Sequence, residues 1–292
     1  MNILNFGSFI TLVCGTLMAF AGGPANAAAV KNIVLVHGAF SDGSGRKAVY
    51  EILANDGYNV TAAQPPLTGL EDDVAAVARV LRRQDGPTIP VGHSCGGVFI
   101  AAHAPHVGET QTENGKRFPS AGRDAIRVTD DGYALLDTAR FPAEFAGDLP
   151  KQQADFEAHA QVFTASVAFS TPIREAAWKT KPSWYMVARS DRIINPDLER
   201  IYAERANSTT VEIEGASHSV YASHPVEVAK LIEDAAQHRQ QRANSRVSLA
   251  PQRASASSER HHHASAFHPA CRTFGRTETA LRRHESWHRG QV

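Results

Sequence analysis

A serine flanked by glycines lies in the middle of the chain, directly after a short β-rich run. The run TIPVG covers residues 88 to 92, and the pentapeptide GHSCG at residues 92 to 96 has the form GxSxG. This pattern predicts a sharp turn from a strand into a helix, which lifts the hydroxyl of Ser94 above the edge of a sheet. Glycine at the flanking positions allows the backbone to pass close to its neighbours. We therefore interpret Ser94 as a candidate nucleophile.

A serine hydroxyl is a weak nucleophile at neutral pH and needs an imidazole, oriented by a carboxylate, to remove its proton. Both partners occur later in the chain. Asp191 ends the run WYMVARSD, and His218 lies in GASH, just after TTVEIEG. Each would then follow the carboxyl end of a parallel strand, where open α/β sheets place their sites. The spacing therefore predicts a triad of Ser94 as nucleophile, His218 as base and Asp191 as the orienting acid.

A fourth element is the sequence HGAF, which follows the first β-rich run. The backbone N–H of Ala39 or Phe40, together with that of Cys95, is predicted to form an oxyanion hole for a tetrahedral intermediate. Cys95 would then act through its amide and not through its thiol. One base is sufficient for this chemistry, so we expect His37, His93 and His224 to be structural.

The elements that must position these residues alternate between Lys31 and Ala236, where short β-rich runs are followed by segments of helical period. This order predicts an α/β fold with a mostly parallel sheet and helices on both of its faces. The order breaks down from about residue 108 to residue 183, where the segments look helical without intervening strands. We expect this stretch to be a helical cap over the ends of the sheet, shaping a substrate pocket.

From about residue 30 to residue 236 the chain resembles the α/β-hydrolase family, particularly its esterase, methylesterase and hydroxynitrile-lyase branch. The motifs that carry the resemblance are HGAFSDGSG, VGHSCGG, SDRIINPDLER and GASHSVYASHP. The resemblance implies an α/β-hydrolase fold in which Ser94, Asp191 and His218 have the roles given above. It implies no cofactor and no metal.

The chain departs from this family behind the candidate nucleophile. Parallel neighbours in a sheet need a crossover of about a dozen residues or more, yet only CGGVFIAAHA separates Ser94 from Pro105. One element is therefore missing. Either VFIAAHA is the helix after the turn and the next strand is absent, or it is that strand and the helix is lost; we favour the second. Pro90 also removes a hydrogen-bond donor from what should be a central strand, and Arg46 stands where relatives often carry an aromatic residue.

The two ends of the chain differ from the middle. Residues 1 to 28 carry no charged side chain and combine an apolar run with the small residues AGGPANAAA, which predicts a signal peptide and export to the periplasm or the medium. Residues 237 to 292 hold ten Arg and three acidic residues and are predicted to be a disordered basic tail. The remaining domain, residues 29 to 236, keeps 20 basic and 27 acidic residues out of 30 of each in the whole chain. We expect no nucleic-acid partner, and no stable membrane insertion after removal of the signal peptide.

One pattern in the tail admits another interpretation. His268, Cys271, His284 and His288 have the ligand spacing of a small zinc finger with His in place of the first Cys. A solvated tail rich in His and Arg remains the favoured interpretation.

Together these features predict a serine hydrolase that cleaves a small carboxylic ester through an acyl-enzyme on Ser94. One alternative keeps the fold but loses the activity, and the protein then binds a small molecule under the cap. Another is hydroxynitrile-lyase chemistry on the same triad. A third makes the tail an interaction module for zinc or polyanions. Oligomeric state is left open.

Overall fold

The computed structural model describes residues 29–101 and 105–249. The strands are β1 Asn32–Val36, β2 Asn59–Ala63, β3 Thr88–Gly92, β4 Ile126–Val128, β5 Tyr133–Leu136, β6 Thr164–Ala165, β7 Trp184–Ala188 and β8 Thr209–Ile213. The α-helices are α1 Lys47–Asn55, α2 Leu70–Arg82, α3 Cys95–Phe99, α4 Gln111–Arg117, α5 Phe141–Glu144, α6 Lys151–His159, α7 Val167–Ser170, α8 Pro196–Arg205, α9 Val220–Ser223 and α10 Pro225–Leu249. Short 3-10 turns cover Gly43–Arg46, Arg123–Ala125 and Ala177–Lys179.

Parallel strands form the centre of the fold. β1 lies between β2 and β3 and pairs in parallel with both, while β7 and β8 form a second parallel pair. All five residues of β1 are buried, as expected for a strand that is covered on both faces. The predicted α/β-hydrolase fold, mostly parallel with helices on the faces of its sheet, is confirmed.

The side chains of β1 point alternately to the two faces of the sheet and contribute to two separate hydrophobic cores. Ile33 and Leu35 pack with Leu53 of α1 and Ile232 of α10, whereas Val34 and Val36 pack on the other side with a cluster that includes Val77 of α2. Successive side chains of a strand point to opposite faces, so a single apolar run anchors helices on both sides of the sheet.

The element missing behind Ser94 is the strand and not the helix. α3 begins at Cys95 immediately after the turn and spans five buried residues, and in the described residues no strand lies between β3 and β7 in the chain that pairs with either. Our preference for a retained strand was therefore wrong. The turn itself explains the outcome, because the amide of Gly96 donates to the carbonyl of His93 over 2.8 Å and that of Gly97 to Ser94 over 2.9 Å. These bonds form the first helical turn, so the chain enters α3 directly.

The absence of a strand on the outer side of β3, in the part of the chain that the structure describes, explains why Pro90 is tolerated there. The amide of His93 donates to the carbonyl of Val36 in β1 over 3.0 Å, and backbone groups alternate in direction along a strand, so the nitrogen of Pro90 faces away from β1. In the described residues β3 has no strand partner on that side, and the missing N–H of proline costs no ladder hydrogen bond. The carbonyl of Thr88 faces the same side and accepts a hydrogen bond from Arg239 of α10 over 3.1 Å.

The cap differs from the prediction of a purely helical insertion. It contains an antiparallel sheet in the order β4-β5-β6, together with α4, α5, α6 and α7. The turn between β4 and β5 holds Gly132 at a φ of 85°, a backbone conformation that favours glycine. Asp131-Gly132 between the β-rich runs AIRV and YALL is a hairpin signal, and it was the local clue to these strands.

The last helix extends beyond the predicted domain end. α10 continues to Leu249, thirteen residues beyond the predicted domain end at residue 236 and into the segment that was predicted to be a disordered tail. Gln, Arg and Ala are good helix formers, and they dominate this extension. His238 also packs its ring against Trp184 at 5.2 Å, which ties the extension to β7.

Several predictions concern residues outside those described. They are the signal peptide, residues 1 to 28; the rest of the basic tail; and the zinc-like pattern of His268, Cys271, His284 and His288. Among the described residues, no helix is both long and apolar enough to cross a membrane. In that same part of the chain, no cluster of three or more His, Cys, Asp or Glu side chains is arranged to hold a metal ion.

Candidate active site

Ser94 sits on a strained turn between β3 and α3. Its φ of 52° and ψ of −126° lie in a region that side-chain-bearing residues rarely adopt. The flanking glycines permit this turn, since a Cβ on Gly96 would lie 2.5 Å from the carbonyl oxygen of Val36 and a Cβ on Gly92 would lie 2.4 Å from the carbonyl of Gly96. The turn predicted from GHSCG is therefore formed, with Ser94 at its apex.

Asp191 and His218 form a buried hydrogen-bonded pair. Nδ1 of His218 lies 2.6 Å from Oδ2 of Asp191, and the two residues are 3% and 6% exposed. The other carboxylate oxygen of Asp191 accepts the backbone N–H groups of Ile193 and Ile194 at 2.7 and 2.9 Å. The carboxylate is thus fixed by its own loop after β7 and aimed at the imidazole in the loop after β8.

The cap holds the histidine loop in place. Ser217 donates its hydroxyl to the carbonyl of Phe145 over 3.1 Å, and the amide of Ser219 donates to the same carbonyl over 3.0 Å. The ring of Phe145 meets the His218 imidazole edge to face at 4.6 Å. Asp148 is a second acceptor that can share the single hydrogen of the Ser217 hydroxyl. His218 is therefore positioned by main-chain bonds on both sides and by an aromatic contact from the cap.

A second support of His218 was not foreseen from the sequence. Arg46 donates from Nη2 to Nδ1 of His93 over 2.8 Å, and Nε2 of His93 meets the main-chain oxygen of His218 at 2.8 Å. Because a guanidinium can only donate, Nδ1 of His93 accepts and Nε2 carries the hydrogen. Burial and the neighbouring positive groups hold the pKa of His93 well below its usual range, so the ring is neutral. The guanidinium of Arg46 lies over the ring of Tyr221 at 3.7 Å.

The structure does not join all three predicted residues. In the described residues no hydrogen bond links the hydroxyl of Ser94 to the imidazole of His218. Ser94 instead lines a cavity of about 400 Å³, to which Ala39, Phe40 and Cys95 also contribute. The candidate nucleophile and the predicted oxyanion residues therefore share one cavity, and the Asp191–His218 pair is formed separately.

The three backbone amides predicted to form the oxyanion hole are not equally available to a ligand. The amide of Phe40 already donates to the hydroxyl of Thr164 over 3.3 Å, which leaves the amides of Ala39 and Cys95 as the better candidates. The Cys95 thiol is buried and donates to the side-chain oxygen of Gln111 over 3.0 Å. Burial raises the pKa of this thiol to about 11, so it remains protonated at neutral pH and is a poor nucleophile.

The remaining histidines lie away from the cavity lining. His37 is buried, its Nδ1 lies 3.0 Å from the carbonyl of Gly38, and burial lowers its pKa to about 4. His224 ends α9, with Nδ1 at 2.9 Å from the hydroxyl of Ser223. Neither contacts Ser94 through a hydrogen bond in the described residues.

The cavity beside Ser94 is mainly apolar. Its lining includes the following apolar side chains: Phe40, Phe118, Ile126, Phe169, Ile193 and Leu198. Arg123 is the charged side chain in the described lining. Such a cavity suits an uncharged ligand with an apolar body.

The fold, with its serine on a strained strand-to-helix turn, is that of an α/β hydrolase. The sequence profile of the alpha/beta hydrolase family matches residues 33–231, and the chain belongs to this family. The expected membership of the α/β-hydrolase family, with similarity to its esterase-like branch, is confirmed.

Individual relatives are similar over most of their length. A pyrethroid hydrolase from Sphingobium wenxiniae is 29% identical over 248 residues, which cover 70% of this chain and 87% of that protein. A crystal structure of a pyrethroid hydrolase is 25% identical with a TM-score of 0.62 and covers 72% of this chain and 98% of that chain. Polyneuridine aldehyde esterase, at 15% identity and a TM-score of 0.59 over 70% of this chain and 99% of its own, shares the fold.

Proposed function

We propose that this protein hydrolyses a carboxylic ester through a triad of Ser94, His218 and Asp191. His218 takes the proton of the Ser94 hydroxyl at Nε2 while Oγ bonds to the ester carbonyl carbon. The amides of Ala39 and Cys95 stabilise the resulting oxyanion.

The rest of the reaction uses the same groups. Collapse of the tetrahedral intermediate breaks the bond to the alcohol, which leaves with the proton held by His218. A water molecule then loses a proton to Nε2 and attacks the acyl-enzyme, releasing the acid and restoring the hydroxyl of Ser94. Asp191 keeps the proton of His218 on Nδ1, so that Nε2 is free to accept.

The observation that carries the proposal is the buried bond of 2.6 Å between Asp191 and Nδ1 of His218. This pair lies in loops that follow β7 and β8, and Ser94 stands on the strained turn after β3. Hydrogen bonds to catalytic groups are often long or misaligned without substrate and tighten when it binds. We expect the Ser94 hydroxyl to approach Nε2 in the same way when the cavity is filled.

The apolar cavity indicates the kind of ester. Its aromatic and aliphatic lining favours a neutral ester with a bulky apolar acid or alcohol part, and the pyrethroid hydrolases among the relatives are named for neutral, apolar esters. No lysine lines the cavity in the described residues, and Lys151 is bound to Asp155 on the exposed surface of α6. Hydrolysis is therefore favoured over a lyase reaction that needs a lysine as general acid.

The test is active-site labelling with a fluorophosphonate, combined with hydrolysis of p-nitrophenyl esters of increasing chain length. We expect one covalent adduct on Ser94 and loss of both labelling and turnover in Ser94→Ala. Ser166→Ala is the matched control, because Ser166 lines the same cavity but donates its hydroxyl to the carbonyl of Gly132 over 2.7 Å. Labelling of folded protein at another residue, or unchanged turnover in Ser94→Ala, would contradict the triad.

A second candidate function is binding without turnover. The absence of a hydrogen bond between Ser94 and His218 in the described residues, and the short helix α3 behind the serine, favour it. This alternative predicts that an apolar ester raises the melting temperature of the wild type and of Ser94→Ala equally, and that neither protein cleaves the ester. Turnover that depends on Ser94 would exclude it.

A further inference from the structure

Glu199 is a buried acid that the proposed mechanism does not use. It lies in the first turn of α8, is 6% exposed, and its Oε2 accepts the backbone N–H of Ala188 over 3.0 Å. The amide of Asp191 donates to the carbonyl of the same residue, Ala188, over 3.0 Å, and the charge of Asp191 acts on the carboxyl group of Glu199. Two buried acidic residues, Glu199 and Asp191, are therefore bound to the main chain of one residue at the end of β7.

Neighbouring buried carboxylates repel each other and lack the hydration that would stabilise both charges, so we expect the pair to hold one proton at neutral pH. Asp191 accepts three N–H groups, from Ile193, Ile194 and His218. Glu199 accepts one, from Ala188. Hydrogen bonds to the ionised form favour ionisation, so the negative charge belongs on Asp191 and the proton on Glu199.

The other titratable groups around Glu199 do not neutralise it. Tyr185 of β7 and Tyr202 of α8 are kept neutral, since burial raises the pKa of Tyr202 to about 12 and that of Tyr185 well above its usual range. The nearby cation, Arg200, is bound to Glu212 and to Asp197, each at 2.8 Å. Burial first, and then the charge of Asp191, raise the pKa of Glu199 well above its usual range.

We propose that Glu199 is a positioning residue, which stays protonated at neutral pH and donates its carboxylic O–H to the carboxylate of Asp191. This inference rests on the proposed role of Asp191 in the triad. The bond completes the set of donors around Asp191 and holds its carboxylate towards Nδ1 of His218.

Ionisation of Glu199 at alkaline pH removes this donor and places a second negative charge beside Asp191. The two carboxylates then repel each other, and Asp191 loses its fixed orientation towards His218. Activity should therefore fall as the pH rises through the ionisation of Glu199. A glutamine at this position keeps the acceptor for Ala188 and supplies an N–H for Asp191 but has no proton to lose.

The experiment compares wild type, Glu199→Gln and Glu199→Met in their kcat/KM for a p-nitrophenyl ester between pH 6 and pH 10. We expect the kcat/KM of Glu199→Met at pH 7 to be at least tenfold below that of the wild type. The kcat/KM of Glu199→Gln should be close to that of the wild type. We further expect the alkaline fall of the wild type to move upward by at least one pH unit in Glu199→Gln. A tenfold loss in Glu199→Gln at pH 7, or an alkaline fall that does not move, would overturn the proposal.

Denaturation midpoints across the same pH range provide a readout that needs no activity. An acid whose pKa is raised in the folded state lowers the stability of the protein once the pH exceeds the pKa of the same group in the unfolded chain, about 4.3 for glutamate. The denaturation midpoint of Glu199→Gln should therefore rise relative to that of the wild type as the pH rises. A difference that stays constant with pH would show that Glu199 is not protonated at neutral pH, whether or not the proposed triad is correct.

Glu144 provides the matched control. It is a buried glutamate beside the same loop, bound to Arg192 over 2.7 Å and to Arg140 over 2.9 Å. These ion pairs lower its pKa, so its ionisation state is opposite to that proposed for Glu199. Glu144→Gln should lower the denaturation midpoint at neutral pH and leave the alkaline fall of activity at its wild-type position.

Discussion

Nε2 of His93 donates a hydrogen bond of 2.8 Å to the main-chain oxygen of His218. The residue just before the candidate nucleophile therefore holds the backbone of the candidate base. The rings of the two histidines lie 4.6 Å apart, and Arg46 fixes the tautomer of His93 from the other side. A single rigid contact thus links the turn after β3 to the loop after β8, although no strand of the described residues fills the gap between β3 and β7.

Replacement of His93 should misplace His218. His93→Phe removes the donor, and a buried hydrogen bond of this kind contributes about 1 to 2 kcal/mol. If that energy holds the base in place, kcat should fall about tenfold, with a smaller change in KM. His93→Gln can still donate near the position of Nε2 and should recover part of the loss. Equal activity in both variants and the wild type, measured with the same ester, would show that this contact does not position the base.

Local patterns in the sequence predicted the parallel strands, the turn around Ser94 and the buried Asp191–His218 pair, because each depends on a short motif. They did not predict the link from Arg46 through His93 to His218, which joins segments far apart in the chain. The position of Glu199 near Asp191 depends on how the loop between β7 and α8 folds, and no periodicity indicates it. The cap hairpin did have a signal, Asp131-Gly132, but the helical look of the flanking segments outweighed it.

Gly96→Ala should destroy the turn that presents Ser94. A Cβ at this position would lie 2.5 Å from the carbonyl oxygen of Val36, which is backbone in the centre of the sheet and cannot move aside. We expect loss of fluorophosphonate labelling together with a drop in stability of about 2 kcal/mol or more. Gly147→Ala is the control, since its nearest neighbour would lie at 3.4 Å. Normal labelling of Gly96→Ala would mean that the turn is not needed.

Asp191→Asn should keep the fold and lose most of the activity. The amide can still accept the N–H groups of Ile193 and Ile194, but it no longer presents an anion to Nδ1 of His218. The imidazole can then adopt the wrong tautomer, a change that costs about 10⁴ in turnover in triads of this type. Single-turnover kinetics with a p-nitrophenyl ester would measure the loss, and circular dichroism would verify folding. A loss of less than about tenfold would exclude Asp191 as the orienting acid.

Asp73 is predicted to destabilise the protein at neutral pH. Its side chain is fully buried; Oδ1 accepts the amide of Leu67 over 2.6 Å, and Oδ2 has no partner in the described residues. Burial raises the pKa of Asp73 to about 6, so the folded protein loses stability as the pH rises from about 4 to that value. Asp73→Asn should be more stable than wild type at pH 7.5 by about 1 to 3 kcal/mol, with the difference fading below pH 4. Urea denaturation of both proteins between pH 3 and pH 7.5 would measure this difference.

The extension of α10 should contribute to stability. His238 packs against Trp184 of β7, and Arg239 donates to the carbonyl of Thr88 at the open edge of β3. A chain that ends at Gln237 loses both contacts, whereas a chain that ends at Leu249 keeps them. If the two contacts together contribute about 1 kcal/mol, the shorter chain should melt about 3 °C below the longer one. The double variant His238→Ala and Arg239→Ala in the longer chain should reproduce most of that difference, because it removes the same contacts without shortening the helix. Identical melting temperatures for all three proteins would show that these contacts do not stabilise the domain and would favour the domain end at residue 236 predicted from the sequence.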